Sequence, residues 1–384
     1  MRSTSRPESD VDIIVAASPG ALHEHREAWH DLAANAVESN VFYEPDPLLL
    51  ALGTLPPGDE WRIVLVYRQD TLIGLFPMRW RKIAGTGLHL VAELLRHGQS
   101  FFHVPLLRRE AGAIAVRAWL DWCSRSGAAL VVCPKVTGDG AVAALFRDEL
   151  AALGGRCLEH DRYMRPVMIP GADAESYLRE ALGGDRRREL RRQRRLLEAQ
   201  GDLVFTWPSA IDDPAAWATD FLELERRGWK GRDGGALACD AGQERGFRDL
   251  LAALHARRQA LLFGARLNGR WIAMSCILRV APPGTGAFAF KTAYDEDLRR
   301  FAPAIMLESA FLRELHGTFR DVGWIDSCTS PGKNTAIGKL WAGRRAIAHL
   351  VLAMPGLRGN LALAAYRLMM RRAARRAEPA AAGK

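Results

Sequence analysis

Apolar positions along the chain repeat with two periods, and the changes from one to the other mark out its elements. The run over 11–16 predicts a strand, and 19–37 predicts a helix with Ala28, Trp29, Leu32 and Ala36 at helical spacing. Prolines bracket a short helix over 48–52. Segments 61–67 and 72–80 flank Gln69 and Asp70 and read as a hairpin, although the turn lacks the favoured Asn-Gly or Asp-Gly pair. A loop-rich piece over 97–105 precedes a helix over 110–126, which Gly127 closes. A strand over 129–134 and a helix over 142–153 follow. Alternation of strand and helix on this scale predicts an α/β fold.

The same order of elements returns further along. Strands over 261–267 and 270–280 flank Asn268 and Gly269, which supply the positive φ angles of a tight hairpin turn. An alternating run over 287–294 follows, then a helix over 303–316 with Leu307, Phe311 and Leu315 on its buried stripe, then a strand over 322–325. Each hairpin is thus followed by a loop, a helix of about four turns and an apolar strand, which predicts one degenerate unit used twice. The boundaries that follow are 1–168 for the first unit, 169–355 for the second, and 356–384 for a basic tail.

With 384 residues, 48% of them hydrophobic, the chain can fill two domain cores. The net charge of +9 and pI near 9.5 suit a polyanionic partner: nucleic acid, anionic lipid or the phosphates of a nucleotide-bearing donor. Seven arginines within 185–195 concentrate that charge on one helix, whose plain reading is a solvated face. The tail over 357–376 reads as a frayed basic terminus, with an amphipathic helix lying on anionic lipid as the alternative. Six dispersed cysteines without a C-x-x-C pair argue for a reducing compartment and against a metal site. The first ten residues show no secretory pattern, and no apolar window approaches the ~20 residues a membrane span needs, so a cytoplasmic protein is expected, in contact at most with the inner membrane face.

The candidate chemistry lies in the second unit. Period-two alternation over 287–294 places Phe288, Phe290, Thr292 and Tyr294 on one side and leaves Lys291 alone on a face of alanines. A lysine there either reaches solvent or enters a cleft. Pro303 suits a first helical turn, and the free amides beside it, with Arg299 and Arg300, make an anion site suited to a pyrophosphate. Asp326 ends a strand facing that helix, where it either accepts a proton from an incoming amine or hydroxyl or caps a loop. Cys328 has no histidine near it in sequence to activate it. Trp229 and Lys230 stand between Gly228 and Gly231, which let a loop approach a ligand closely.

Gly228-Trp229-Lys230-Gly231, Lys291-Thr292-Ala293-Tyr294-Asp295, Arg300-Phe301-Ala302-Pro303, Asp326-Ser327-Cys328 and Leu340-Trp341 together resemble the bacterial Gcn5-related (GNAT) acetyltransferases of the cellulose- or exopolysaccharide-biosynthesis type, which are similar in turn to Fem-type aminoacyltransferases of cell-wall assembly. The resemblance implies tandem acetyltransferase-like domains, each a mixed central sheet flanked by helices, and direct attack of an acceptor on a thioester. It implies Arg299, Arg300, Phe301, Ala302, Pro303 and Ala304 as donor-binding residues, Trp229, Lys230, Lys291, Tyr294 and Asp295 around the acceptor, Asp326 as base or orienter, and acetyl-CoA or another acyl-CoA as co-substrate with no metal. The spaced glycines of the ordinary pyrophosphate loop are absent, so a longer acyl-CoA, an acyl-carrier protein or a charged tRNA stays open as donor. The acceptor would be a small molecule or glycan. A catalytically inactive scaffold that recruits a polysaccharide-synthesis complex to the membrane is the competing expectation.

Overall fold

The computed structural model describes residues 10–56, 58, 60–81, 91–330 and 336–377. Its strands are β1 (Val11–Ala16), β2 (Trp61–Arg68), β3 (Thr71–Arg81), β4 (Val91–Leu94), β5 (Leu106–Leu107), β6 (Leu130–Thr137), β7 (Arg156–Met168), β8 (Leu203–Thr206), β9 (Ala260–Leu267), β10 (Arg270–Arg279), β11 (Gly286–Tyr294), β12 (Trp324–Asp326) and β13 (Gly343–Ala353). All belong to one mixed sheet in the order β1-β2-β3-β4-β6-β13-β7-β12-β11-β10-β9-β8, with β5 paired to β3.

The repeated unit is present in both halves. In the first, the β2–β3 hairpin leads to β4, the helix Gly112–Arg125 and β6, which pairs parallel to β4. In the second, the β9–β10 hairpin leads to β11, the helix Pro303–Gly317 and β12, parallel to β11. Asn268 and Gly269 take φ angles of 51° and 79°, as their turn requires. The fold is therefore α/β, with one mixed-sheet unit used twice.

Their final strands are exchanged. β7 closes the first unit in sequence yet pairs with β12 of the second, whereas β13 closes the second and pairs with β6 of the first. The two exchanged strands pair with each other over most of their length. One apolar cluster accordingly runs from Trp29, Phe76, Trp119 and Phe146 in the first half to Phe221, Phe247, Phe288 and Phe290 in the second. A second cluster, around Phe263, Leu307, Phe311 and Trp341, lies under the helix Pro303–Gly317.

Two elements depart from the sequence expectation. The stretch 19–37 begins as a 3-10 turn, Gly20–His25, and only Arg26–Ala34 is α-helical. The tail does not fray: Leu357–Ala377 is a helix, held because Leu363 is buried and Ala362 and Tyr366 pack with it beside Leu130 and Val351.

Candidate active site

The central feature is a gap between two parallel strands. β11 and β12 pair only at Gly286–Trp324, Ala287–Ile325 and Phe288–Asp326; beyond that point β11 continues to Tyr294, while the chain after Asp326 turns away through 327–330. Residues 289–294 thus extend past the last rung, along an edge that β12 no longer covers. Cys328 takes a left-handed φ of 56° in the turn, a conformation that costs a non-glycine residue energy and persists where surrounding contacts impose it.

Lys291 lies at this gap, on a different face from the one the sequence predicts. Its cross-strand partner on β10 is Cys276, while Ile277 pairs with Ala289, so Phe290 is an extra residue without a rung. Such a bulge places two successive side chains on one side. Lys291 therefore shares the aromatic face, its Nζ 5.3 Å from the Phe290 ring centre and 5.4 Å from that of Phe101. Thr292 turns to the opposite face, where its hydroxyl lies 3.1 Å from Ser275 Oγ, itself a donor to Glu308 Oε1. Burial, then the Lys230 ammonium, lower the Lys291 pKa to about 8. Burial likewise raises buried Glu308 to about 7, with the Ser275 bond opposing it.

Lys230 Nζ donates to Glu225 Oε1 at 2.7 Å and lies 3.4 Å from Thr292 O, which places it against β11. Glu225 is buried, and its second oxygen accepts the Leu237 amide at 2.9 Å. Trp229 presents an exposed ring, and its amide donates to Glu296 Oε1 at 2.6 Å, which ties this loop to the start of the β11–helix connection. Tyr294 is half-buried against the second core, and Asp295 accepts the Asp297 amide within the connection.

That connection is a 3-10 turn, Glu296–Phe301, ending at Ala302 in a left-handed conformation. Arg299 and Arg300 are exposed, Ala304 is half-buried, and the helix beginning at Pro303 has no side-chain cap. Phe301 and Pro303 face inward as core, so of the six donor-loop residues those two offer packing in place of ligand contact. Gln193, from the arginine-rich helix Gly184–Glu198, donates to Arg300 O at 3.0 Å. The basic helix is thereby brought beside the exposed arginines of the connection, which sequence separation concealed.

Asp326 is fully buried. Its Oδ1 accepts from Arg165 Nη1 (3.3 Å) and the Cys328 amide (2.8 Å), and its Oδ2 accepts from Arg345 Nη1 (3.0 Å). Arg165 also donates to Phe101 O at 3.1 Å, and the Arg345 guanidinium lies 4.1 Å from the Trp324 ring centre. The carboxylate thus joins β12 to both exchanged strands and to the segment carrying Phe101. Two guanidiniums and an amide occupy its oxygens, an arrangement for positioning and not for accepting a substrate proton. Burial, then Asp326, raise the Cys328 thiol pKa well above its usual value, so it is not a ready nucleophile.

The first half has the same parting of strands, with β4 and β6 paired over Val91–Leu130, Ala92–Val131 and Glu93–Val132. There the chain occupies its own gap: the His103 amide donates to Lys135 O at 3.3 Å, and its Nδ1 lies 3.2 Å from Pro134 O. From the same segment, Phe101 and Phe102 reach Phe290 and Phe288 of the second half. Sequence reasoning missed Phe101, Arg165, Arg345 and Glu225. Only Glu225 left a signal, lying four residues after Phe221 and three after Leu222 on the apolar stripe of its helix. Among the described residues, His160, Asp161 and His349 bring possible metal-ligating atoms within 4.8 Å of one another. Asp161 Oδ2 is 2.9 Å from His160 Nδ1 and 4.0 Å from His349 Nδ1.

Residues 184–331 match the Acetyltransferase (GNAT) domain family. No curated protein matches the sequence. Among solved structures, FemX is 14% identical, with 88% of this chain and 97% of that one covered at a TM-score of 0.58. A conserved protein of unknown function from Bacteroides thetaiotaomicron VPI-5482 is 12% identical over 86% and 97% of the two chains, TM-score 0.56. The C-terminal domain of a protein described as a lysylphosphatidylglycerol synthetase from Agrobacterium fabrum is 12% identical over 88% and 95%, TM-score 0.52. At these identities the likeness is one of fold.

Proposed function

We propose that the chain transfers an acyl group from an acyl-CoA-type thioester to an amino or hydroxyl group of a sugar or of an envelope or exopolysaccharide precursor. The observation that carries this reading is the parting of β11 from β12 with Lys291 at the opening. An uncovered strand edge offers backbone donors and acceptors to an extended ligand such as a pantetheine arm. Arg299, Arg300 and the uncapped helix after Ala302 would receive the donor's phosphates, with the basic helix beside them.

The acceptor's nitrogen or oxygen bonds to the thioester carbon, the carbon–sulfur bond breaks with its electron pair going to sulfur, and the proton given up by the acceptor balances the one taken up by the departing sulfur, which leaves as a thiol. Lys291, held as an ammonium against two aromatic rings, faces the oxygen on which negative charge develops. Asp326 holds Arg165, and through it the Phe101 wall, in register with the gap. Exposed Trp229 gives the mouth an aromatic face of the kind that packs on a sugar ring. The acceptor class rests on this face and on the resemblance of the motifs; the name borne by the lysylphosphatidylglycerol synthetase is compatible with an envelope substrate.

A thermal-shift panel of CoA thioesters of increasing acyl length tests the donor. A ligand at a hundred times its dissociation constant stabilises a fold by about 2.7 kcal/mol, a readily measured shift. At least one thioester should raise the melting temperature and support transfer to an amino sugar; a flat response across the panel would remove CoA thioesters as donors.

A further inference from the structure

Of the eleven exposed large apolar side chains among the described residues, four lie on one helix, Leu357–Ala377: Leu357 (74% exposed), Leu361 (62%), Leu368 (50%) and Met369 (56%). With 3.6 residues per turn, successive side chains are rotated by roughly 100°, which places Leu357, Leu361 and Leu368 within roughly 40° of one another. Ala364, exposed, continues the stripe between Leu361 and Leu368 along the helix. On the same wheel Arg358 and Arg372 fall to one side of the stripe, and Arg367 and Arg371 to the other. All four are exposed. The opposite face, with Gly359 and Leu363 buried and Ala362, Tyr366 and Met370 half-buried, is the one that meets the protein, where Tyr366 Oη lies 3.2 Å from His160 Nε2.

The helix therefore has one face fixed to the sheet and one apolar stripe edged on both sides by guanidiniums. Residues 357–377 contain six arginines and no acid. A stripe of this kind on a helix lying flat is what the boundary of an anionic bilayer accepts: leucines enter the acyl region while the arginines extend outward to headgroup phosphates. No helix among the described residues is long and apolar enough to cross a membrane, so the contact would be with one leaflet only.

We propose that the face of Leu357, Leu361 and Leu368, with its flanking arginines, docks the protein on an anionic lipid surface. The inference is independent of the acyl-transfer reading. A nucleic acid would have use for the arginines but none for the leucines, and the fixed opposite face rules out a helix that buries its stripe by turning over.

Co-sedimentation of the full chain with vesicles of phosphatidylcholine alone, and of equal parts phosphatidylcholine and phosphatidylglycerol, tests it. The native chain should pellet with the mixed vesicles and stay in solution with the neutral ones. Converting Arg367, Arg371 and Arg372 to glutamine should weaken binding by about 10²-fold, at about 1 kcal/mol per arginine near the surface. The double variant Leu361→Glu/Leu368→Glu should weaken it at least tenfold with the melting temperature unchanged, since both side chains face solvent. Equal pelleting of native and leucine variants, or equal binding to neutral vesicles, would overturn the proposal. So would a concentration-dependent dimer that the leucine variant abolishes, because the stripe would then belong to a second copy of the chain.

Discussion

Replacing Lys291 by methionine is expected to lower kcat/KM by about 10²–10³, the cost of removing one charge-stabilising donor from a developing oxyanion. Donor binding should be nearly intact, because the phosphates are received at Arg299, Arg300 and the helix after Ala302, away from the substituted side chain. The pH profile supplies a second readout. Lys291 has its pKa lowered to about 8, by burial first and by Lys230 next. A role for the ammonium is therefore fully available below that value and lost as pH rises through about 8. The native enzyme should show an alkaline limb near that pH, and the methionine variant should lack it. Stability moves the other way. The folded state disfavours the charged amine, so at neutral pH removing the amine should not weaken the fold. Activity retained in the variant, or an alkaline limb that persists in it, would take Lys291 out of the chemistry.

Substitution of Asp326 by asparagine should act on the fold before it acts on turnover. The carboxylate is fully buried between Arg165 on β7 and Arg345 on β13, and Arg165 is fully buried with it. Breaking a buried ion pair by removing one partner costs about 3–5 kcal/mol, because the remaining charge is left uncompensated. The urea midpoint should fall accordingly with the slope unchanged. Changing Arg165 to methionine in the same chain should recover part of the loss, since the stranded guanidinium goes with it. A Asp326→Asn variant as stable as the native chain yet slower by ~10² would instead make Asp326 the general base.

The chain shows its duplication openly because duplication resides in local signals. Asn268-Gly269 specifies one hairpin, and Gly127 and Pro303 mark the ends of helices whose apolar stripes repeat at helical spacing. β7 is less legible. Its 13 residues include Arg156, Glu159, His160, Asp161 and Arg162, and they form a strand because β12 and β13 arrive from far along the chain to pair with them. Tertiary pairing overrides local pattern there.

The site shows the same division. Lys291 could be picked out as a lone cation in an apolar strand, but its face could not, because the bulge at Phe290 depends on register with β10 and leaves no mark in composition. Asp326 was visible as a polar strand end. Its principal partner, Arg165, stands 161 residues earlier, and without that pairing a base and a positioning residue read alike.

Acyl transfer at this site requires the donor to lie in the gap beyond Phe288. Hydrogen exchange of the full chain with and without a stabilising acyl-CoA measures this directly, amide by amide. Protection should appear in 289–294 along the β11 edge, in 327–330, and in the first turn of the helix Pro303–Gly317, while the corresponding gap between β4 and β6 stays unchanged. Protection confined to other surfaces, with 289–294 exchanging as in the free protein, would contradict it.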